Sequence, residues 1–159
     1  MIKEDTTILR QEKMTIKHFM NFMEAKRPAD VREVEIMNGC DFYDIPIVDY
    51  ANATVLVDDN DEVYAIGGVQ EVVEDGFKLN YVWMLCTGMV ERHQTAFLRA
   101  AKELLKTYLD KYPHLENWVW LGNEQHVKWL KWMGADFFDI EQVNGEDFQC
   151  FVFPKKEDK

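Results

Sequence analysis

The chain has 159 residues, 47% of them hydrophobic and 13% aromatic, which predicts a globular domain with its own core and excludes a disordered chain. A formal net charge of −11 repels phosphates, so direct binding to DNA or RNA is not expected and a basic protein partner fits better. The sequence shows no apolar leader and no run of apolar residues long enough for a membrane span, so we expect a cytoplasmic protein that is not secreted.

The first third of the chain predicts one strand and two helices. A short strand begins near Ile8-Leu9. Thr15 is a good N-cap for an amphipathic helix, which should end near Lys26 because a residue that precedes proline resists helical geometry. A second short helix over 29–36 should end at Asn38-Gly39, and the acidic, aromatic segment 40–52 reads as an irregular connection.

Three antiparallel strands are predicted next, over residues 53–58, 63–73 and 77–87. The acidic cluster 58–61 and the sequence Glu-Asp-Gly at 74–76 are typical of the tight turns between such strands. Gly67-Gly68 inside the second strand indicates a bulge.

A long helix, a strand, a short helix and a final hairpin strand complete the chain. Apolar residues at helical spacing predict the long helix: Phe97, Leu98, Ala101, Leu104, Leu105, Tyr108 and Tyr112. The sequence WVWL at 118–121 reads as a buried strand, and a helix over 124–133 follows it. The strand–helix–strand order implies one parallel pair in a mostly antiparallel α+β sheet. We therefore predict one domain over residues 1–154 and a frayed tail over 155–159.

The stretch WVWLGNEQHVKWLKWMGADFF at 118–138 resembles a part of the GNAT N-acetyltransferase superfamily. In that family a strand leads to an asparagine and a helix follows, with a glycine eleven positions after the asparagine; Asn123 and Gly134 match this spacing. The stretch is more similar still to the small internal virion proteins of short-tailed (podovirus) phages. The resemblance implies a GNAT-like mixed central sheet with helices on both faces.

The sequence departs from the GNAT pattern at the positions that bind acetyl-CoA and protonate the leaving thiolate in that family. The family binds the diphosphate of acetyl-CoA on a glycine-rich loop at the start of the long helix, whereas Arg92 and Gln94 stand in the glycine places here. A tyrosine that protonates the leaving thiolate in many members aligns with Leu130, which cannot donate a proton. If acetyl-CoA binds at all, the resemblance assigns it to Arg92, His93, Gln94 and Asn123; otherwise the first three are solvated, and Asn123 caps the helix.

Other candidate sites are weak. Glu71 and Glu74 are available as general bases, but nothing singles either out, so the catalytic residues are unknown. The histidines are scattered and the three cysteines lack metal-ligand spacing, so we expect no metal site and buried free thiols. The clustered tryptophans lack basic companions for stacking bases, so they predict core packing and an exposed patch for a protein partner.

Three functional hypotheses remain open. The first is a phage virion-associated or accessory protein in which a degenerate acetyltransferase fold, with no cofactor, binds a protein in assembly or genome delivery. It would reside in the host cytoplasm and possibly the virion, and contact other virion proteins or a basic host protein. The second is an active acetyl-CoA-dependent N-acetyltransferase acting on a basic amine or lysine. The third is an acidic decoy that inhibits a host nucleic-acid-binding protein.

Overall fold

The computed structural model describes residues 6–45 and 52–154, so the tail predicted over 155–159 and part of the irregular connection lie outside the described residues. The elements in chain order are β1 (Arg10–Lys13), α1 (Ile16–Ala25), α2 (Pro28–Asn38), a single 3-10 turn (Phe42–Asp44), β2 (Thr54–Val57), β3 (Val63–Glu74), β4 (Phe77–Cys86), α3 (Met89–Arg92), α4 (Gln94–Lys111), β5 (His114–Trp120), α5 (Glu124–Met133), β6 (Asp136–Val143) and β7 (Glu146–Pro154).

The strands form one mixed sheet in the order β1-β2-β3-β4-β5-β7-β6. The pairing of β4 with β5 is parallel and the other strand pairs are antiparallel, which confirms the predicted α+β class and its parallel pair. Helices cover both faces. Successive residues of β2 show this, since Val55 packs in a cluster with Phe22 of α1 while Leu56 packs with Phe97 of α4. No helix in the described part of the chain is both long and apolar enough to cross a membrane.

The ends of the first two helices follow the sequence signals. The hydroxyl of Thr15 accepts a hydrogen bond from the His18 amide at 3.2 Å, and Nδ1 of His18 accepts one from the Thr15 amide at 3.1 Å. This reciprocal pair confirms the predicted cap. The second helix begins at Pro28, one residue before the prediction, and Gly39 closes it with a left-handed φ of 66°.

Three predictions in the sheet and its thiols are wrong. Gly67 and Gly68 form no bulge, because they pair in continuous register with Met84 and Trp83; the register shift lies instead between Leu56 and Val57. A Cβ on Gly67 would lie 2.8 Å from the Trp83 carbonyl oxygen, so this glycine permits close approach of the backbones.

The predicted order also lacks β6, whose alternation is broken by a register shift between Phe137 and Ile140. The thiols were predicted to be buried, but Cys86 alone is buried among the three free cysteines; Cys40 is exposed and Cys150 is half-buried.

Candidate functional site

The sheet opens between β4 and β5. These strands share a single paired position, Tyr81 with Glu116, and the Asn117 side chain donates a hydrogen bond across the gap to the Val82 carbonyl at 2.8 Å. A cavity of about 160 Å³ adjoins the carboxyl-terminal half of β4. The resemblance to GNAT enzymes places the pantetheine arm of acetyl-CoA in this region, along β4 after Tyr81.

The cavity is small and mostly apolar. Its lining includes Leu85 of β4, Leu104 of α4, Trp129 of α5 and, on the α2 side, Asp30 and Glu33. A cavity of about 150 Å³ holds one benzene molecule, whereas sites for drug-sized ligands span roughly 300–1,000 Å³. The space therefore suits a small apolar group.

A buried polar network closes the end of this cavity near α2. Arg27, which is 7% exposed, donates hydrogen bonds through Nη1 to Asp30 at 2.7 Å and to the side-chain Oδ1 of Asn123 at 2.9 Å. Its Nε donates to Glu91 at 2.9 Å. Burial lowers the pKa of Arg27, but the Glu91 and Asp30 carboxylates raise it by more. We call these four residues, together with Glu33 and His126, the Arg27 network. The guanidinium also lies 5.5 Å from the ring centre of Trp129, so it joins α2, α3 and α5.

Asn123 lies at the centre of the network and is 1% exposed. Its Nδ2 donates to Asp30 at 3.0 Å and to Glu33 at 3.1 Å, while its Oδ1 accepts from Arg27. The predicted helix cap is wrong, because the Asn123 side chain makes no capping hydrogen bond to α5. The side-chain amide of Asn123 instead bonds to the Asp30 and Glu33 carboxylates and to the Arg27 guanidinium.

His126 lies one turn into α5 and faces Glu33, with 3.3 Å between Nδ1 and the carboxylate oxygen. Burial lowers the pKa of His126, but the negative charge of Glu33 and its hydrogen bond raise it, and the net direction is upward. Both side chains line the cavity. They form an ionisable pair at the site, which the scattered histidines of the sequence did not predict.

The segment between β4 and α4, where the family resemblance places the diphosphate loop, folds as a tight helical turn. Amides of this turn donate within it: Val90 to the Thr87 carbonyl at 3.3 Å and Glu91 to the Gly88 carbonyl at 3.3 Å. The Glu91 carboxylate, bound to Arg27, adds a negative charge beside the turn. Amides bonded to their own chain, with a carboxylate nearby, are a poor cradle for phosphates.

The other predicted cofactor contacts do not join the network. Arg92 and Gln94 are exposed, and Nη1 of Arg92 lies 3.9 Å from the Met89 sulfur. His93 is half-buried, with its ring centre 6.0 Å from that of Tyr64 and its Nδ1 3.4 Å from the Thr7 hydroxyl. Of the four residues, the structure brings only Asn123 into the Arg27 network, and none of the four lines the cavity itself.

Leu130 occupies the position where the family resemblance expects a proton-donating tyrosine. It is 4% exposed and packs with Leu115, Val119 and Phe151 in the core. The Cys86 thiol lines the cavity as well, but burial and the adjacent Asp30 carboxylate raise its pKa well above the usual range, so it is a poor nucleophile. The cavity thus has no proton donor at the expected place.

Glu12, His18 and Asp61 are close enough together to suggest a metal site. However, Nδ1 of His18 accepts the Thr15 amide, so the ring proton is on Nε2, which faces Asp61 at 3.4 Å. A metal would need the lone pair of that same nitrogen. The contact is therefore better explained as a histidine–carboxylate hydrogen bond.

Sequence reasoning missed Arg27, Asp30, Glu33 and Glu91. One signal was available. Arg27 precedes Pro28, and Asp30 lies three residues after Arg27, so the two side chains can pair across the first turn of a helix. Nothing local indicated that Asp30 contacts Asn123, because 93 residues separate the two.

Solved structures of acetyltransferases share this fold. The acetyltransferase (GNAT family) from Bacillus anthracis superposes with a TM-score of 0.66 at 9% identity, covering 96% of this chain and 100% of the other. A putative phosphinothricin N-acetyltransferase gives 0.65 at 12% identity, covering 94% and 99%. At such low identity the likeness shows the fold alone, and it confirms the predicted GNAT architecture.

The sequence itself matches phage proteins. It is 34% identical over 77 residues to the probable scaffold protein gp13 of Escherichia phage T7, and the match covers 46% of this chain and 55% of that protein. The aligned region thus spans about half the length of the relative. The family model described as "Bacteriophage T7, probable scaffold protein Gp13" matches residues 53–141. The chain therefore belongs to the phage T7 Gp13 family of probable scaffold proteins, built on a GNAT-type fold.

Proposed function

We propose that this protein is a non-catalytic protein-binding module that acts in phage assembly or genome delivery, inside the host cell and in the virion. Its membership of a family of probable scaffold proteins supports a role among virion proteins. One structural observation carries the non-catalytic part: the turn between β4 and α4 bonds its own amides and stands beside the Glu91 carboxylate.

Binding of acetyl-CoA would require several costly changes at once. The turn at 87–93 would have to unfold to free its amides, and a phosphate would then approach Glu91. The Asn123 amide would have to leave Arg27 or Asp30, which would leave a buried charge short of a partner. A hydrogen bond to a charged group typically contributes about 1.5–3 kcal/mol, and more of it is lost when the group stays buried.

An acetyl-CoA-dependent N-acetyltransferase is the alternative, and the gap between β4 and β5 favours it. The gap and its apolar cavity coincide with the region that the resemblance assigns to the pantetheine arm. In that case the acidic surface would attract a basic amine or a lysine side chain. A decoy for a host nucleic-acid-binding protein has the net charge of −11 as its single support.

The deciding experiment is a thermal melt with and without acetyl-CoA in large excess. A ligand at 100 times its Kd stabilises the folded state by about 2.7 kcal/mol, which raises Tm by roughly 5–11 °C for a domain of this size. We expect no shift. A reproducible rise in Tm, or transfer of a labelled acetyl group to polylysine, would overturn the non-catalytic proposal.

The Glu91→Gln variant serves as the matched control. It removes the charge beside the turn but leaves an uncharged side chain of the same length. If this variant also shows no shift, the folded turn itself excludes the cofactor. If Glu91→Gln alone gains a shift, the carboxylate is the barrier, and the natural chain is still unable to bind.

A further inference from the structure

The two edges of the sheet are chemically different. Strand β1 is a short edge with the sequence RQEK, so its exposed side chains are polar throughout. Strand β6 forms the opposite edge and is longer, with the sequence DFFDIEQV. We call residues 136–147, which comprise β6, its turn and the first residues of β7, the β6 edge surface.

The β6 edge surface carries acidic charge alone. It includes five exposed carboxylates and no lysine, arginine or histidine: Asp136, Asp139, Glu141, Glu146 and Asp147. Among the described residues none of these five forms an ion pair. Two of these carboxylates also affect the Cys150 thiol. Burial is the main cause that raises the pKa of this thiol, and the negative charges of Glu116, Asp139 and Glu141 raise it further.

Large apolar side chains are exposed between these carboxylates. Phe138 is 57% exposed and Ile140 is 55% exposed. Charges and a bulge are the usual protection of a sheet edge against aggregation, and they account for Asp139, Glu141 and the register shift after Phe137. That protection does not account for an exposed phenylalanine and isoleucine, which instead suit a partner that covers them.

We propose that the β6 edge surface binds an extended, basic segment of a partner protein, in which lysines or arginines alternate with apolar residues. Such a segment would add a strand beside β6, with its cations facing the carboxylates and its apolar residues covering Phe138 and Ile140. A second copy of β6 is disfavoured, because antiparallel self-pairing would bring carboxylates close to carboxylates. The inference rests on the proposed protein-binding function and specifies the chemistry of the partner.

The test uses a synthetic peptide of about eight alternating lysine and valine residues, the length of a typical strand. A glutamate–valine peptide of the same length is the control probe. Titration into the 15N-labelled protein should shift the main-chain amides of residues 136–143 with the lysine peptide alone. Affinity measured by fluorescence anisotropy should fall as salt is raised, since exposed charges are screened.

Two pairs of variants locate the binding surface. Asp139→Asn with Glu141→Gln should weaken the lysine peptide by about tenfold, as expected for two exposed ion pairs. Glu103→Gln with Asp110→Asn removes the same charge from exposed positions on α4. This pair should change the affinity less than twofold, since neither residue belongs to the β6 edge surface.

The apolar contribution has its own matched pair. Phe138→Ser with Ile140→Ser should weaken binding, whereas Val73→Ser with Phe77→Ser, at the equally exposed tip of the β3–β4 hairpin, should not. All eight positions are exposed, so the variants should retain the wild-type Tm, which is measured first.

Three outcomes would overturn this inference. The first is an absence of localised amide shifts at millimolar peptide. The second is an equal loss of affinity in the β6 and α4 charge variants. The third is a dimer, seen by sedimentation, that the β6 variants dissociate, since the surface would then bind a second copy. Each can occur while acetyl-CoA still fails to bind, so failure here is distinguishable from failure of the proposed function.

Discussion

Replacing Arg27 by methionine is the sharpest test of the Arg27 network. Methionine keeps much of the length and apolar bulk of the arginine stem but removes the guanidinium. Asp30 would then lose its ion-pair partner at 2.7 Å while remaining buried, and Glu91 would lose its partner at 2.9 Å.

The expected loss of stability follows from the burial of the pair. Asp30 is 5% exposed and would keep two donors, the Cys86 amide at 2.7 Å and Nδ2 of Asn123 at 3.0 Å, but no compensating cation. Removing one partner of a buried pair costs about 3–5 kcal/mol. A domain of this size loses roughly 2–4 °C of Tm per kcal/mol, so the fall in Tm should be roughly 6–20 °C.

The assay is urea denaturation followed by circular dichroism, with thermal melts in parallel. Arg10→Met is the matched control, since Arg10 also pairs with an aspartate at 2.8 Å, but on the surface, where Asp59 is highly exposed. An exposed pair contributes about 0–1 kcal/mol, so the control should stay close to wild type. Equal m-values would show that both variants unfold from the same compact state.

A loss below about 1 kcal/mol for Arg27→Met, comparable with the Arg10→Met control, would refute the reasoning. It would mean that solvent or a neighbouring side chain replaces the guanidinium at little cost. The network would then not hold α2, α3 and α5 together, and the argument that Asn123 is unavailable to a cofactor would lose its energetic basis.

Two further predictions concern His126 and the glycines. Burial lowers the pKa of His126, but the Glu33 carboxylate raises it by more. The charged pair therefore adds its full stability below the unfolded pKa of about 6.5. That stability is lost as the pH rises through the higher folded pKa. Urea titrations across about pH 5.5–8.5 should show the advantage of wild type over His126→Gln shrinking with pH; a constant difference would contradict the pairing. Gly67→Ala should destabilise the protein by about 1–3 kcal/mol, because its Cβ would meet the Trp83 carbonyl. Gly88→Ala is the control: with open space and a helical φ, it should change stability by less than about 1 kcal/mol. Equal Tm values for the two variants would contradict the contact.

Local signals in the sequence were enough for much of the fold. The Thr15 hydroxyl caps the start of α1, and Gly39, with its left-handed φ, closes α2, as their residue types predict. The periodicity from Phe97 to Tyr108 correctly indicated the longest helix of the described chain. These features depend on interactions within one or two turns of chain. Strand β6 was missed because its acidic and apolar residues do not alternate regularly. Neither the two-residue period of a strand nor the helical period of about 3.6 residues is therefore visible in its sequence.

The site was less predictable, because its key contacts join residues far apart in the chain. The spacing of Asn123 and Gly134 correctly identified the fold framework, and Gly134 does end α5 with a left-handed φ of 99°. The same spacing said nothing of Arg27 or Glu91, since no local pattern reports a hydrogen bond between residues 96 positions apart. Framework residues are therefore readable from sequence, whereas the partners that decide their chemistry are not.

The hydrogen-bonding capacity of Asn123 links the fold to the proposed function. A side-chain amide offers two donors and an acceptor oxygen with two lone pairs, and Asn123 uses both donors and one lone pair within the Arg27 network. One lone pair remains, on a residue that is 1% exposed. A coenzyme could approach that oxygen only after α2 moved away, and the movement would separate Asn123 from the Asp30 and Glu33 carboxylates. The contacts that fasten α2 to α5 thus occupy the same side-chain amide that the GNAT resemblance would assign to a cofactor. Under the proposed function, Asn123 holds the two helices together and does not bind acetyl-CoA.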